Sequence, residues 1–203
     1  MNHAEILIFD LGGVLIRLDY KRTIRAFEQL GIEHFEVLYN QAAQTDVFDR
    51  FETGKISSMH FINTLLSYLP KGTTANQVVH AWNAMILDVP KERIQLLEKL
   101  SHSHTLFLLS NTNELHMPLV RREWEKVSSK PMEQCFKRMY LSYELGMRKP
   151  DVSTFLQVCS ENGIDPANAL FIDDSIQHIE GARKAGLQVH HLLEFDELDV
   201  VFS

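Results

Sequence analysis

Cysteine is scarce: the 203-residue chain holds two, Cys135 and Cys159. Two thiols without metal-ligand spacing make neither a disulfide framework nor a zinc site. Both read as small buried hydrophobes, not as a catalytic thiol. Long apolar runs are also missing. None approaches the roughly 18 residues that span a bilayer. Behind Met1-Asn2-His3 the chain is apolar only from Ile6 to Phe9, too short a stretch for a secretory signal. Positive charge is in deficit, with 20 Lys and Arg against 27 Asp and Glu for a net of −7. That balance disfavours nucleic acid and anionic membrane as partners. There is no internal repeat and no low-complexity tract. With 45% apolar and 23% charged residues, disorder and collagen-like repeats are excluded as well. The expectation is a soluble, cytoplasmic protein, monomer or small homo-oligomer, with one domain or one domain carrying an insertion.

What is present is an alternation of buried strands and helices. Ile6-Leu7-Ile8-Phe9 is a continuous apolar run ending in Asp10, the pattern of a strand covered on both faces. Thr105–Leu109, Ala169–Ile172 and the more mixed Leu187–Leu193 look the same, and Arg138–Ser142 is a weaker candidate. Helical patterns lie between them. Pro90–Leu100 has proline at the first turn and a stripe at Ile94, Leu97 and Leu100. Pro150–Asn162 and Ile176–Ala185 each end at a glycine, Gly163 and Gly186. Strands alternating with helices predict an α/β, doubly wound Rossmann-like parallel sheet whose ligands sit at the carboxyl ends of the strands. From about Leu18 to Asp88 no strand pattern occurs. Helices are expected over Lys21–Leu30, His34–Ala43, Ser58–Leu69 and Thr74–Ile86. The economical division is an α/β core over 1–17 and 89–203, with 18–88 an all-helical cap subdomain inserted after the first strand.

Polar groups cluster at the expected strand ends: Asp10, Ser110-Asn111, Lys149-Pro150 and Asp173-Asp174. Singly, each reads as a cap, a turn former or a solvated lysine. Together they are complementary. Two carboxylate sites on neighbouring strands can hold a hard cation such as Mg²⁺ through oxygen, and the like charges of Asp173-Asp174 call for one. A hydroxyl, an amide and a lysine are donors for a phosphate. A free oxygen of Asp10 can then attack as nucleophile. Pro150 forces Lys149 out of helical geometry, so its side chain projects from the loop.

The ordered series Phe9-Asp10-Leu11-Gly12-Gly13-Val14, Leu109-Ser110-Asn111-Thr112, Gly146-Met147-Arg148-Lys149-Pro150-Asp151 and Phe171-Ile172-Asp173-Asp174 resembles the motifs of the haloacid dehalogenase superfamily. Ile179-Glu180-Gly181-Ala182 and Phe51-Glu52-Thr53-Gly54-Lys55-Ile56-Ser57 are similar to its bacterial sugar-phosphate phosphatase branch, which includes α-glucose-1-phosphate phosphatases. The resemblance implies a Mg²⁺-dependent hydrolase of a small phosphorylated metabolite. In it Asp10 is the nucleophile that forms an aspartyl-phosphate, and also a metal ligand. The Gly12 carbonyl and Asp174 complete the ligand set, with Asp173 ligating directly or through water. Ser110 and Asn111 bind the transferring phosphoryl group and Lys149 neutralises it. Gly54 and its neighbours are candidates for selecting the leaving group.

Two positions depart from the common pattern. Most phosphatases of the superfamily carry a second Asp where Gly12 stands, to protonate the leaving group and activate water. Asp19 and Tyr20 are weak candidates to replace it. His178, four residues beyond Asp174, would share a helix face with it and hydrogen-bond its carboxylate. Two other readings compete: a 2-haloacid dehalogenase, which would leave Asp173-Asp174 without a role, and a weakly active phospholigand-binding protein. A phosphomutase fits least, because it needs the second Asp for both transfers. Trp82 and Trp124 are expected as core anchors, Arg121-Arg122-Glu123 as a solvated helix face, and His116 carries no assigned role.

Overall fold

The computed structural model describes residues 5–32 and 46–202. The expected helix over His34–Ala43 lies outside them. Continuous apolarity in Ile6–Phe9 (β1) is explained by its position at the centre of a five-stranded sheet of order β3-β2-β1-β4-β5, every adjacent pair parallel. The other strands are Thr105–Ser110 (β2), Arg138–Leu141 (β3), Ala169–Asp173 (β4) and Gln188–His191 (β5). Side chains alternate across each strand. Leu7, Phe9, Leu106 and Leu108 therefore enter one apolar layer with Ile94, Leu97, Val120 and Trp124. Ile8, Phe107, Leu109 and Phe171 enter the opposite layer with Phe155, Val158, Ile179 and Ala182. The doubly wound α/β sheet is as the periodicity predicts.

Helices Tyr20–Gln29 (α1), Val47–Glu52 (α2), Ser58–Leu66 (α3) and Ala75–Asn83 (α4) follow β1. Their buried side chains form a separate cluster whose members all fall between Phe27 and Trp82. Aromatics dominate it: Phe51 stacks on Phe61 with centroids 4.2 Å apart, and Phe61 meets Trp82 edge-on at 4.9 Å. Local signals set the ends. Asp19 accepts from the Lys21 N–H at the start of α1, Ser57 caps α3, and Thr74 with Gln77 forms a capping box on α4. Helices α3 and α4 are shorter than their apolar patterns, which extend to Leu69 and Ile86, suggest. Helix α2 is unanticipated, because six residues are too few to show a period.

Beyond these lie Lys91–Ser101 (α5), Met117–Glu125 (α6), Ser142–Leu145 (α7), Val152–Asn162 (α8), Ile176–Lys184 (α9) and Leu198–Val201 (α10). Trp82 and Trp124 are buried as expected, and Cys159 is buried. Cys135 is only half-buried, in the loop before β3. No described helix is long and apolar enough to cross a membrane.

Candidate active site

Sheet register decides what meets Asp10. Phe9 is level with Leu108 on β2 and with Ile172 on β4, so the next residue along each central strand places Asp10 beside Asp173. Both carboxylates are buried and would repel. Lys149 answers them. Its Nζ lies 2.6 Å from Asp10 Oδ1 and 2.6 Å from Asp173 Oδ2, and it is fully buried where the sequence alone would also allow a solvated lysine. Desolvating an ammonium costs several kcal/mol, but two charge-assisted hydrogen bonds offset that. Burial alone would lower the Lys149 pKa, and the two carboxylates more than reverse it, so the net shift is upward. The ammonium is secured in its charged form.

Lys149 is held by its backbone as well. Asn111 accepts from the Lys149 N–H and donates to its carbonyl, both at 2.9 Å. The amide expected to face a phosphoryl group is thus engaged at both ends in clamping the lysine. Ser110, the last residue of β2, lines a cavity of about 100 Å³ with Asn111, Thr112 and Gly12. The loop beyond β2 is pinned by Ser142, whose Oγ accepts from the Thr112 N–H and donates to the Thr112 carbonyl.

The two acids at the end of β4 play different parts. Asp173 accepts from Lys149, from the Ser175 N–H at 2.8 Å, and from His178 Nδ1 at 3.0 Å from each oxygen. Burial would raise its pKa, but Lys149 and His178 outweigh it and hold the carboxyl down to about 2. The partner of His178 is therefore Asp173, not the expected Asp174. Helix α9 begins at Ile176, so Asp174 is not on it and the four-residue spacing does not place the two on one face. Asp174 is left exposed to the site. Its pKa is raised by burial and then by the Asp173 charge. Asp10 is pushed up to about 7, first by burial, with Lys149 opposing and Asp173 adding to the rise. Carboxylates so placed are stabilised as anions by a cation.

Ligand oxygens of Asp10, Asp173 and Asp174 can all lie within 4.8 Å of one another. Hard carboxylate oxygens suit Mg²⁺, and Gly12 lines the same cavity as Asp10 and Asp174. The oxygens of Asp173 are already spent on Lys149, Ser175 and His178, which leaves Asp10 and Asp174 as the side chains free to ligate. Gly13 makes room for this. Its φ is +76°, and a Cβ there would stand 2.2 Å from Asp174 Oδ2. Gly13→Ala is expected to lower Mg²⁺ affinity about 10-fold or more, by both strain and displacement of Asp174. Calorimetric titration of the metal-free protein checks it, and an unchanged affinity would exclude Asp174 as a ligand.

Above the carboxylates is a cavity of about 270 Å³, walled by Asp10, Asn111, Asp174 and His178 and roofed by Tyr20, Glu52 and Arg148. Arg148 Nη1 reaches helix α2, 2.8 Å from Glu52 and 3.4 Å from Asp49. Asp19 is spent as the cap of α1, which removes it as a stand-in for the acid absent at Gly12. Tyr20 lines the cavity, but burial and the charges of Asp174 and Asp10 push its hydroxyl up to about 12. His116, unassigned from the sequence, lines the smaller cavity with its ring stacked on Trp82 and Nδ1 2.8 Å from Asn83 Oδ1. Burial lowers it to about 4, so it is neutral.

The space of the absent second acid is partly filled. A Cβ on Gly12 would lie 2.6 Å from Leu18 Cδ1, the tip of a flexible side chain. Gly12→Asp alone is expected to gain little activity on unactivated esters, whereas Gly12→Asp with Leu18→Ala should gain about 10-fold over the single variant. Parallel kcat/KM measurements on the two variants decide this, and equal values would show that Leu18 is no obstacle.

The chain matches the haloacid dehalogenase-like hydrolase family over residues 4–186. It is 28% identical over 182 residues to the D-ribitol-5-phosphate phosphatase of Bacteroides thetaiotaomicron, covering 90% of this chain and 88% of that one. Among solved structures, a HAD family enzyme from Bacteroides thetaiotaomicron in complex with magnesium and inorganic phosphate superposes with a TM-score of 0.90 at 32% identity, covering 98% of this chain and 99% of that chain. The L-2-haloacid dehalogenase of Xanthobacter autotrophicus shares the fold, with a TM-score of 0.61 at 18% identity over 93% of this chain and 77% of that chain.

Proposed function

The chain belongs to the haloacid dehalogenase-like hydrolase family, and from that premise we propose that it is a Mg²⁺-dependent phosphatase of a small phosphorylated metabolite, a sugar or polyol phosphate. One observation carries the reading: Lys149 bridges Asp10 and Asp173 beneath a cavity on whose wall Asp174 stands open. The relative that acts on D-ribitol-5-phosphate supports the substrate class.

The ion would be held by Asp10, Asp174 and the Gly12 carbonyl, and would supply Lewis-acid neutralisation of a phosphoryl oxygen. Lys149 places a fixed positive charge where the phosphoryl group must lie, and it keeps the Asp10 carboxylate oriented. Asp10 attacks phosphorus through the oxygen not bonded to Lys149, forming an aspartyl-phosphate and expelling the alcohol. Water then attacks the same phosphorus and regenerates Asp10. Ser110 donates to the transferring group, and Asn111 acts through Lys149. Asp173 and His178 hold the lysine on its far side. In a 2-haloacid dehalogenase reading, Asp174 and its open carboxylate would have no part.

Residues 18–88 act in this proposal as a cap over the core formed by 1–17 and 89–203, closing on the phosphate site and excluding water. The contacts of Arg148 Nη1 with Asp49 and Glu52 support it. So does Gly54, where a Cβ would stand 2.1 Å from the Tyr143 carbonyl. The test is phosphate release from a panel of phosphorylated metabolites with and without Mg²⁺, using Asp10→Asn as control. Hydrolysis confined to wild type with Mg²⁺ supports the proposal. Hydrolysis that persists in Asp10→Asn refutes it.

A further inference from the structure

In-line displacement at phosphorus sets the leaving oxygen opposite the attacking carboxylate. With Asp10 at the sheet edge, that oxygen points toward the helices over the site. An alkoxide leaving group needs a proton there, and Gly12 has none to give. The groups that face this region come from four elements. Tyr20 stands at the start of α1, Asp49 and Glu52 are on α2, His116 immediately precedes α6, and Arg148 is in the loop before α8. Tyr20, with its hydroxyl near 12, is a poor base for the second half of the reaction. Neutral His116 gives its Nδ1 proton to Asn83, so its remaining ring nitrogen has no proton to donate. Arg148 stays protonated throughout. His178 is turned to Asp173.

Glu52 remains. Among the described residues it is the one carboxyl outside the Asp10, Asp173 and Asp174 cluster in the walls of both cavities, and both also border Gly12. Its Oε2 is buried without a hydrogen bond, although Arg148 Nη1 stands 2.8 Å away. Stacking of Phe51 on Phe61 anchors the adjacent turn of α2 in the helical cluster.

We propose that Glu52 is the general acid and base of the reaction, supplied from the helices above the site in place of the carboxyl missing at position 12. The assignment rests on the phosphatase reading above. In the first step the Asp10–phosphorus bond forms as the bond from phosphorus to the leaving oxygen breaks. The Glu52 carboxyl hands its proton to that oxygen, releasing a neutral alcohol. In the second step the Glu52 carboxylate takes a proton from the attacking water, the aspartyl-phosphate bond breaks, and hydrogen phosphate leaves. Both Asp10 and protonated Glu52 are restored. Burial lifts the Glu52 carboxyl above its usual range; Arg148 pulls it back without cancelling the rise, and Asp49 adds to it. A carboxyl so raised keeps its proton closer to neutral pH.

The test compares glycerol phosphate, whose alkoxide cannot leave without a proton, with p-nitrophenyl phosphate, whose phenolate can. Wild type with Mg²⁺ should differ between the two esters by no more than about 10-fold in kcat/KM. In kcat/KM, which reports only through departure of the leaving group and not the shared hydrolysis of the aspartyl-phosphate, Glu52→Gln should lose about 10²-fold or more on glycerol phosphate and less than about 5-fold on p-nitrophenyl phosphate. A retained first-turnover release of p-nitrophenolate shows at the same time that the variant is folded, while its steady-state kcat falls with the shared second step. Equal fractional losses in kcat/KM on both esters, or no loss on either, would overturn the proposal in favour of a structural contact with Arg148. A strong preference of wild type for the activated ester would overturn it without any variant. If wild type hydrolyses neither ester nor any member of the metabolite panel, the phosphatase reading falls and the Glu52 role falls with it. Asp10-dependent hydrolysis leaves Glu52 alone at issue.

Discussion

Asp10→Asn is expected to abolish turnover while making the metal-free protein more stable at pH 8. An amide is no nucleophile toward phosphorus, and removal of such a group costs on the order of 10⁴-fold or more in kcat. The stability gain follows from the position of the side chain. Folding raises the Asp10 pKa from 3.8 to about 7, chiefly by burial. Between those values the folded protein holds a proton that the unfolded chain has released, so stability from this group is present at low pH and is lost as pH rises from about 4 through 7. Above that, wild type carries the full penalty of a buried charge beside Asp173. An amide carries none and can still accept from Lys149. The variant should melt a few degrees higher than wild type at pH 8, about 1–2 kcal/mol, with the gap closing toward pH 4. Added Mg²⁺ should close it from the other side by stabilising wild type. Thermal melts at both pH values, with and without metal, check all three statements. A variant less stable than wild type at pH 8 would contradict the linkage.

Lys149→Met should fail in the opposite way, losing both activity and stability. The substitution preserves the length of the stem but removes the ammonium that touches both carboxylates. Breaking a buried pair by removal of one partner costs about 3–5 kcal/mol, or roughly 10 °C for a domain of this size. Asp173 loses the main influence that holds it near 2. Its normal contribution, present above the unfolded pKa and lost only as pH falls toward 2, should disappear. Both carboxyls would then favour protonation, so the variant should gain stability on acidification from pH 8 to 5. Melts over that range decide the point. Wild type also gains over this range through Asp10, so the variant's gain should be the larger, and a gain no larger than wild type's would show that the two acids are not coupled through the lysine.

The site was largely legible in the sequence because most of its groups sit at strand ends. Asp10 and Asp173 each follow or close a run of apolar residues that only a strand buried on both faces accommodates, and Ser110 closes another. Glu52 was not legible as a site residue. Its helix is six residues long, shows no period, and reaches the cavity only because the aromatic cluster behind it sets its position. Four-residue spacing pairs His178 with Asp174, but the helix begins two residues beyond Asp174 and the imidazole meets Asp173 instead. The amide of Asn111 has the chemistry of a phosphate donor, yet both of its ends serve the backbone of Lys149.

The amino-acid order by itself determined the core strands, their parallel arrangement, the longer described helices and the inventory of charged groups, since each depends on burial patterns and residue chemistry within a few positions along the chain. The tertiary structure decided which charges meet. Lys149 and Asp10 are 139 positions apart, and their contact depends on sheet register and on the path of the loop after β3. No local pattern encodes those relations. They are settled by the whole molecule burying its apolar layers at once, which leaves the ammonium no solvent and the two carboxylates as its partners.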